Sequence, residues 1–388
     1  MSNRPEDQNH LLPPSGLSSS PVRKVPKDYN FPRSVCDLVG RTPLLELARV
    51  GNGSRLLIKL ECFNPTGSAK IRMALAMVRS AERRGQIKPG YTIVEPTSGN
   101  TGLGLALAAA QLGYKFIGVV DSHAAPSKLA AMKAYGAELI VVDGPSDRPS
   151  TMLRRKKAEE ICSSSPYVWW PDQHNNPNNP LGYSHLAEEL DSAISASIDV
   201  LVASVGTGGT LCGTARRLRE LGHSLTTIGV EPEGSIIFGP PAGSYKQSGA
   251  GAPGGFPVGC NVDTEAIDQG LKINDVKAFA TCRVLAREKG LMLGGTSGAA
   301  IYEALRQLPS FPAGTTMVVI ACDAGEKYQN TIFDDRWMIA NKLLSDIAEH
   351  QVSGMLRAFD DSIALSNRQT ANLSRYWFTA EGASARGL

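Results

Sequence analysis

The chain reads as an α/β protein, with mainly parallel sheets flanked by helices and two domains. Three observations predict this. Short apolar runs of strand length alternate with helical patterns from Leu44 to Cys322, and strands separated by helices require right-handed βαβ crossovers. The length of 388 residues suits two domains at roughly 150 residues each. The composition, 42% hydrophobic and 20% charged, is that of a globular chain and excludes a disordered or fibrous one.

Taken in order, Leu56–Leu60 is a strand. Ser68 can cap a helix that places Ile71, Leu75, Val78 and Ala81 on one face and ends near Gly85. Then come strand Tyr91–Glu95, helix Gly102–Leu112, strand Lys115–Val120, helix Ser127–Tyr135 stopped by Gly136, strand Glu138–Val142, a helix from Thr151 to Ile161 and the short strand Tyr167–Trp170. The alternation resumes with helix His185–Ala196, strand Asp199–Val205, helix Thr210–Leu221 and strand Thr226–Val230. Helices Asp275–Lys289 and Ser297–Gln307 and strand Thr316–Cys322 complete it. Residues 233–260, rich in Gly and Pro, break the rhythm and are either a lid or a plain surface insertion. Residues 1–35 read as a tail, and Trp337–Ile347 as one amphipathic segment before a polar end.

Composition excludes several function classes. Forty Lys and Arg against thirty-seven Asp and Glu give +3, too balanced for a nucleic-acid or anionic-membrane partner. The longest apolar stretch, Leu103–Leu112, is too short to span a bilayer. The N-terminus has neither a secretory nor a transit pattern. Seven scattered cysteines without C-x-x-C suggest no disulfide framework or zinc ribbon, and the six histidines have no metal spacing. A soluble, cytoplasmic protein without a metal is expected.

In α/β sheets ligands bind beyond the carboxyl ends of strands, and three Gly/Ser/Thr-rich turns lie there. Glu95-Pro96-Thr97-Ser98-Gly99-Asn100-Thr101-Gly102 opens a helix and suits a small carboxylate or phosphate; its bland reading is N-capping by Thr97 or Ser98. Gly206-Thr207-Gly208-Gly209-Thr210 can hold a phosphate on backbone amides. Taken alone it also fits an imperfect dinucleotide fingerprint, with Leu211 in place of the third glycine and Glu231 as the ribose acid, or a structural turn. Gly294-Gly295-Thr296-Ser297-Gly298 is the third turn. Lys70, in Asn64-Pro65-Thr66-Gly67-Ser68-Ala69-Lys70, stands at the first turn of a helix, where an ammonium opposes the macrodipole and a neutral imine does not.

Together these windows resemble the fold-type II pyridoxal-phosphate enzymes, most closely the cysteine synthase and cystathionine β-synthase family. The likeness runs from Val39-Gly40-Arg41-Thr42-Pro43-Leu44 to Asp323-Ala324-Gly325-Glu326-Lys327-Tyr328. It implies pyridoxal 5'-phosphate bound to Lys70 as an imine, Asn100 on the ring hydroxyl, and Gly206, Thr207, Gly208, Gly209 and Thr210 around the phosphate. It also implies Ser297 facing the pyridine nitrogen, and Thr97, Ser98, Thr101 and Gln173 on the substrate α-carboxylate. Residues 36–75 and 180–340 would then form a larger cofactor-binding domain and 76–179 a smaller, substrate-closing one, with the active site between them and 341–388 as an extension. The implied activity is β-replacement on O-acetyl- or O-phosphoserine through an aminoacrylate, by a homodimer acting on small amino acids. A serine facing the ring nitrogen leaves it unprotonated and the ring a weaker electron sink, which favours loss of a Cβ leaving group.

Some windows depart from the cysteine synthase pattern: Gly249–Phe256 and Val120-Asp121-Ser122-His123-Ala124-Ala125-Pro126. The latter, with Gly234–Gly239 and Phe333-Asp334-Asp335-Arg336-Trp337, resembles the branch that makes N-(2-amino-2-carboxyethyl)-L-glutamate, a diaminopropionate precursor, with an amine nucleophile. β-Elimination of the serine/threonine dehydratase kind, and a dinucleotide-binding oxidoreductase built on Gly206–Glu231, are the alternatives.

Overall fold

A computed structural model describes residues 31–122, 124–143 and 150–359. Most of the N-terminal tail, His123 and the polar end beyond 359 lie outside the described residues. Of the described residues, those up to Arg33 fall in one unit and those from Ser34 in a second, which carries everything below.

The strands are β1 (Leu44–Arg49), β2 (Arg55–Leu60), β3 (Thr92–Pro96), β4 (Lys115–Val120), β5 (Glu138–Val141), β6 (Val168–Trp169), β7 (Val200–Ser204), β8 (Thr226–Pro232), β9 (Gln269–Ile273) and β10 (Thr316–Ala321). The helices are α1 (Lys70–Arg83), α2 (Asn100–Leu112), α3 (Pro126–Ala134), α4 (Ser150–Ser163), α5 (Asn178–Leu181), α6 (Ser184–Ala193), α7 (Gly209–Glu220), α8 (Asp275–Lys289), α9 (Gly295–Gln307), α10 (Asp335–Ala340) and α11, residues 346–359. Short 3-10 turns occupy Val35–Leu38, Glu61–Phe63 and Gly325–Tyr328, among others.

A six-stranded sheet runs β1-β2-β10-β7-β8-β9 and a four-stranded sheet runs β5-β4-β3-β6. Every pairing is parallel except β1 with β2. β7 and β10 are buried at every residue, as strands covered on both faces must be. The core of the larger sheet lies on both of its faces, one around Ile58, Val202, Phe279 and Val319 and the other around Met73, Tyr183, Leu201 and Ile320. The smaller sheet has its own core around Ile93, Leu105 and Met132.

The structure corrects several expectations. Ser68 does not cap α1: the N-cap is Ala69, which makes no side-chain bond, and Ser68 Oγ is buried without a partner. The helix expected to reach Ala196 ends at Ala193, because Ile194 turns extended and buries its side chain. Trp337–Ile347 is not one helix. Lys342, at φ +58°, breaks it between α10 and α11, and α11 buries Val352, Leu356 and Phe359 at helical spacing. β1 and β9, both at sheet edges, were not anticipated.

Residues 233–260 are pinned rather than loose. The Gly251 N–H donates to Val205 O at 2.7 Å and that of Ile236 to Ala252 O at 3.0 Å. Lys272 Nζ donates to Ser235 O and Gly239 O, and Ser235, Gln247 and Phe256 are buried. The segment is a wall of the turn that follows β7, and in this structure it does not form a detached lid.

Candidate active site

The turn after β7 is shaped by its glycines. Gly208 has φ +84° and caps α7 without a side chain. A Cβ on Gly208 would strike the Asn261 carbonyl, one on Gly209 the Asn179 side chain, and one on Gly206 the Gly249 carbonyl. The first turn of α7 therefore keeps its N–H groups bare in a close cradle, which is the arrangement that takes an anionic phosphate. Thr210 Oγ1 in that cradle is buried and has no partner.

Lys70 is the first residue of α1. Its approach is fixed by the Ala69 N–H donating to Cys322 O at 2.9 Å and by the pairing of Ser68 with Asp323 at the end of β10. Two residues on, Arg72 makes a two-pronged contact with Glu61 (2.7 and 2.8 Å) and reaches Glu189 at 2.8 Å, while Lys59 meets Glu189 at 2.6 Å. These pairs lock the start of α1, and they hold the Glu189 carboxyl down to about 2 against the upward pull of its burial.

Tyr183 neighbours both Lys70 and Thr210, and so links the amine to the cradle. Burial pulls the Lys70 ammonium down, but Tyr183, Cys322 and Asp323 outweigh it and hold it above the usual lysine range. Burial also raises the Tyr183 phenol and pushes the Cys322 thiol up to about 11.

The turn before α2 is capped by Gly99, not by Thr97 or Ser98, and no side chain bonds its first N–H groups. Ser98 instead donates to Asp121 Oδ2 (3.1 Å) and accepts from Arg154 Nη1 (3.0 Å). Buried Thr97 accepts the Gly99 N–H at 3.4 Å. Asn100 donates to Asp323 Oδ2 at 2.8 Å and accepts from Lys327 Nζ at 2.8 Å. Thr101 Oγ1 donates to Gln173 Oε1 at 2.6 Å.

Gln173 extends this network. Its carbonyl accepts from Asn179 Nδ2 (2.6 Å) and Asn261 Nδ2 (3.0 Å), and Asn179 Nδ2 also donates to Thr207 Oγ1 at 3.1 Å. A continuous chain of hydrogen bonds thus joins the turn at Thr97–Thr101 to the glycine turn at Gly206–Thr210. Ser297, in the first turn of α9, is fully buried with an unpartnered Oγ. That turn is tied to the end of β7 by Ser204 Oγ donating to Thr296 O at 2.7 Å.

The sequence-level site residues therefore fall after the carboxyl ends of β3, β6 and β7 and at the starts of α1, α2, α7 and α9. Sequence reasoning missed Asn179, Asn261, Tyr183, Arg154 and Lys128, whose partners are distant in the chain. Glu231 does not stand ready for a ribose. It is fully buried and takes bonds from the Ser235 hydroxyl and the Ile237 and Phe238 N–H groups, with Lys272 at 3.0 Å. The dinucleotide reading fails there.

Known proteins share this fold. Residues 35–323 match the model of the family described as "Pyridoxal-phosphate dependent enzyme". A putative cysteine synthase of Sinorhizobium fredii is 43% identical over 325 residues, 83% of this chain and 97% of that protein. An O-ureido-L-serine synthase structure matches with a TM-score of 0.72 at 32% identity, over 80% of this chain and all of the other. The O-acetylserine-dependent cystathionine β-synthase of Helicobacter pylori matches at 0.70 and 34%, over 78% and 99%. The chain belongs to the pyridoxal-phosphate dependent enzyme family, and its cofactor is pyridoxal phosphate. The residues present fit that cofactor: a glycine cradle that any Cβ would fill, and two buried hydroxyls, Thr210 Oγ1 and Ser297 Oγ, that lack a partner. Among the described residues no helix is long and apolar enough to cross a membrane.

Proposed function

We propose that the protein replaces the Cβ substituent of an O-activated L-serine, O-acetyl- or O-phosphoserine, by a nucleophile. The observation that supports this is that Lys70 shares Tyr183 as a neighbour with the glycine cradle, in which Thr210 Oγ1 lacks a partner. The cysteine synthase relative and the O-acetylserine-dependent neighbour support the choice of substrate.

Gly206–Thr210 hold the phosphate, Ser297 meets the ring nitrogen and Asn100 the ring hydroxyl. Asn100 has one N–H and one lone pair to spare after Asp323 and Lys327. Bound pyridoxal phosphate supplies the electron sink that makes the substrate Cα–H acidic. Lys70 anchors the cofactor, takes up the Cα proton on Nζ and later returns it. The bare N–H groups of α2, with Thr97, Ser98, Thr101 and Gln173, hold the α-carboxylate and shut out water as the leaving oxygen departs. In this reading residues 36–75 and 180–340 form the larger domain and 76–179 the part that closes, in a cytoplasmic homodimer.

The purified protein is expected to be yellow, and borohydride to fix a mass adduct on Lys70. Lys70→Ala should lose both, together with at least ~10³-fold of turnover, since it removes both anchor and base. Turnover is followed with O-acetylserine and O-phosphoserine separately, against sulfide and glutamate. A product with glutamate marks the route to a diaminopropionate precursor. Pyruvate released at full rate without any nucleophile would instead mean β-elimination and overturn the reading.

A further inference from the structure

Lys128, from α3, and Lys327, from the turn after β10, line one pocket of about 130 Å³ with Thr66, Ser127, Leu103 and Tyr135. Lys128 is only 3% exposed. Its Nζ donates to Tyr328 Oη at 3.2 Å and lies 4.5 Å from the centre of that ring. The Tyr328 hydroxyl in turn donates a hydrogen bond to Asp323 Oδ2 at 2.7 Å. Lys327 gives its three N–H groups to Thr66 O, Gly67 O and Asn100 Oδ1. All of these acceptors are neutral, and among the described residues neither lysine has a carboxylate in ion-pair contact.

Two ammonium groups withdrawn from water with no carboxylate in contact are unfavourable in their charged form. Burial pushes both down, Lys327 to about 8, where the Lys128 charge adds to the effect. Asp323 offsets both charges from a distance, with Glu326 adding to this at Lys327, and Asp323 Oδ2 already serves Asn100 and Tyr328. In the pocket wall Thr66 Oγ1 is buried and bonds nothing. A small anion would give Lys128 the negative partner it lacks, with N–H groups to spare after Tyr328, and the walls of Leu103 and Tyr135 would cover a short apolar stem.

We propose that this pocket binds the carboxylate of a small organic acid, with Lys128 as its principal cation. The same carboxylate chemistry belongs to the nucleophilic substrate or to a free acid acting from beside Asn100. The first source rests on the β-replacement reading above; binding itself does not.

The test is calorimetry on the full chain loaded with pyridoxal phosphate, titrated with glutarate and with uncharged glutaramide. Glutarate should bind and glutaramide should not. Lys128→Gln and Lys128→Met should weaken glutarate at least tenfold while the visible band and the melting temperature stay in place. Should those variants not fold, acylation of Lys128 in the wild type, read by peptide mass, is expected to slow at least threefold with glutarate. No heat with glutarate, equal binding in Lys128→Gln, or unprotected Lys128 overturns the proposal, whatever reaction the enzyme catalyses. Turnover then separates the sources. Glutarate competing with glutamate but sparing sulfide marks the nucleophile's carboxylate, and slowing of both alike marks a free acid.

Discussion

Arg72 and Lys128 are about equally withdrawn from water, 5% and 3% exposed, yet their surroundings treat charge in opposite ways. Arg72 meets two carboxylates, Glu61 and Glu189, and Lys59 joins the second of them. Lys128 meets a tyrosine hydroxyl and a ring. A charge that the fold itself neutralises serves architecture, here the fixed start of α1 beside Lys70. A charge that the fold leaves open is poised for something that arrives from outside. Glu95 shows a third outcome. It is 1% exposed with no cation in contact among the described residues, one of its oxygens is unpartnered, and burial followed by the Asp172 charge pushes it up to about 8. A proton does there what Arg72 does for Glu61.

The comparison breaks most visibly at Arg72. Arg72→Met strands Glu61 and Glu189, and a loss of about 3–5 kcal/mol in urea unfolding is expected, since removal of one partner leaves buried charge behind. A loss below ~1 kcal/mol would sink the contrast. Glu95→Gln tests the protonated acid. The folded carboxyl keeps its proton up to about 8 whereas the unfolded one releases it near the ordinary 4.5. Stability should therefore decline between those values by up to about 1.4 kcal/mol per pH unit and level off above. The variant should flatten that part of the curve, as read by melting temperature across pH. Lys128→Met is the mildest change. No carboxylate loses a direct partner, so unfolding free energy should stay within ~1 kcal/mol or rise, because an apolar chain replaces an uncompensated charge.

Much of this was legible in the sequence because it is local. Lys70 with its Asn-Pro-Thr-Gly-Ser approach, the glycine turn at Gly206–Thr210 and the turn at Thr97–Thr101 are each contiguous, and a turn's chemistry is written in its own residues. β7 and β10 were legible because strands buried on both faces are unbroken apolar runs. β1 escaped because only Ala48 and its neighbour Leu47 are buried in an edge strand with an irregular register. β9 escaped because it is a short edge strand with a single fully buried residue. The pairing of Arg72 with Glu189 and of Lys327 with Asn100 joins residues more than a hundred positions apart. No periodicity carries such information; it exists only once the sheets have assembled.

The chain Thr101–Gln173–Asn179–Thr207 makes occupancy at one end a thermodynamic concern of the other. If a carboxylate arriving at Thr101 draws Gln173 into a better position, the grip on the phosphate must strengthen by the same factor, since linkage runs equally both ways. Such a link would tighten the non-covalent hold at Gly206–Thr210 in the working molecule, at the stage when Lys70 carries the proton and no longer anchors the cofactor.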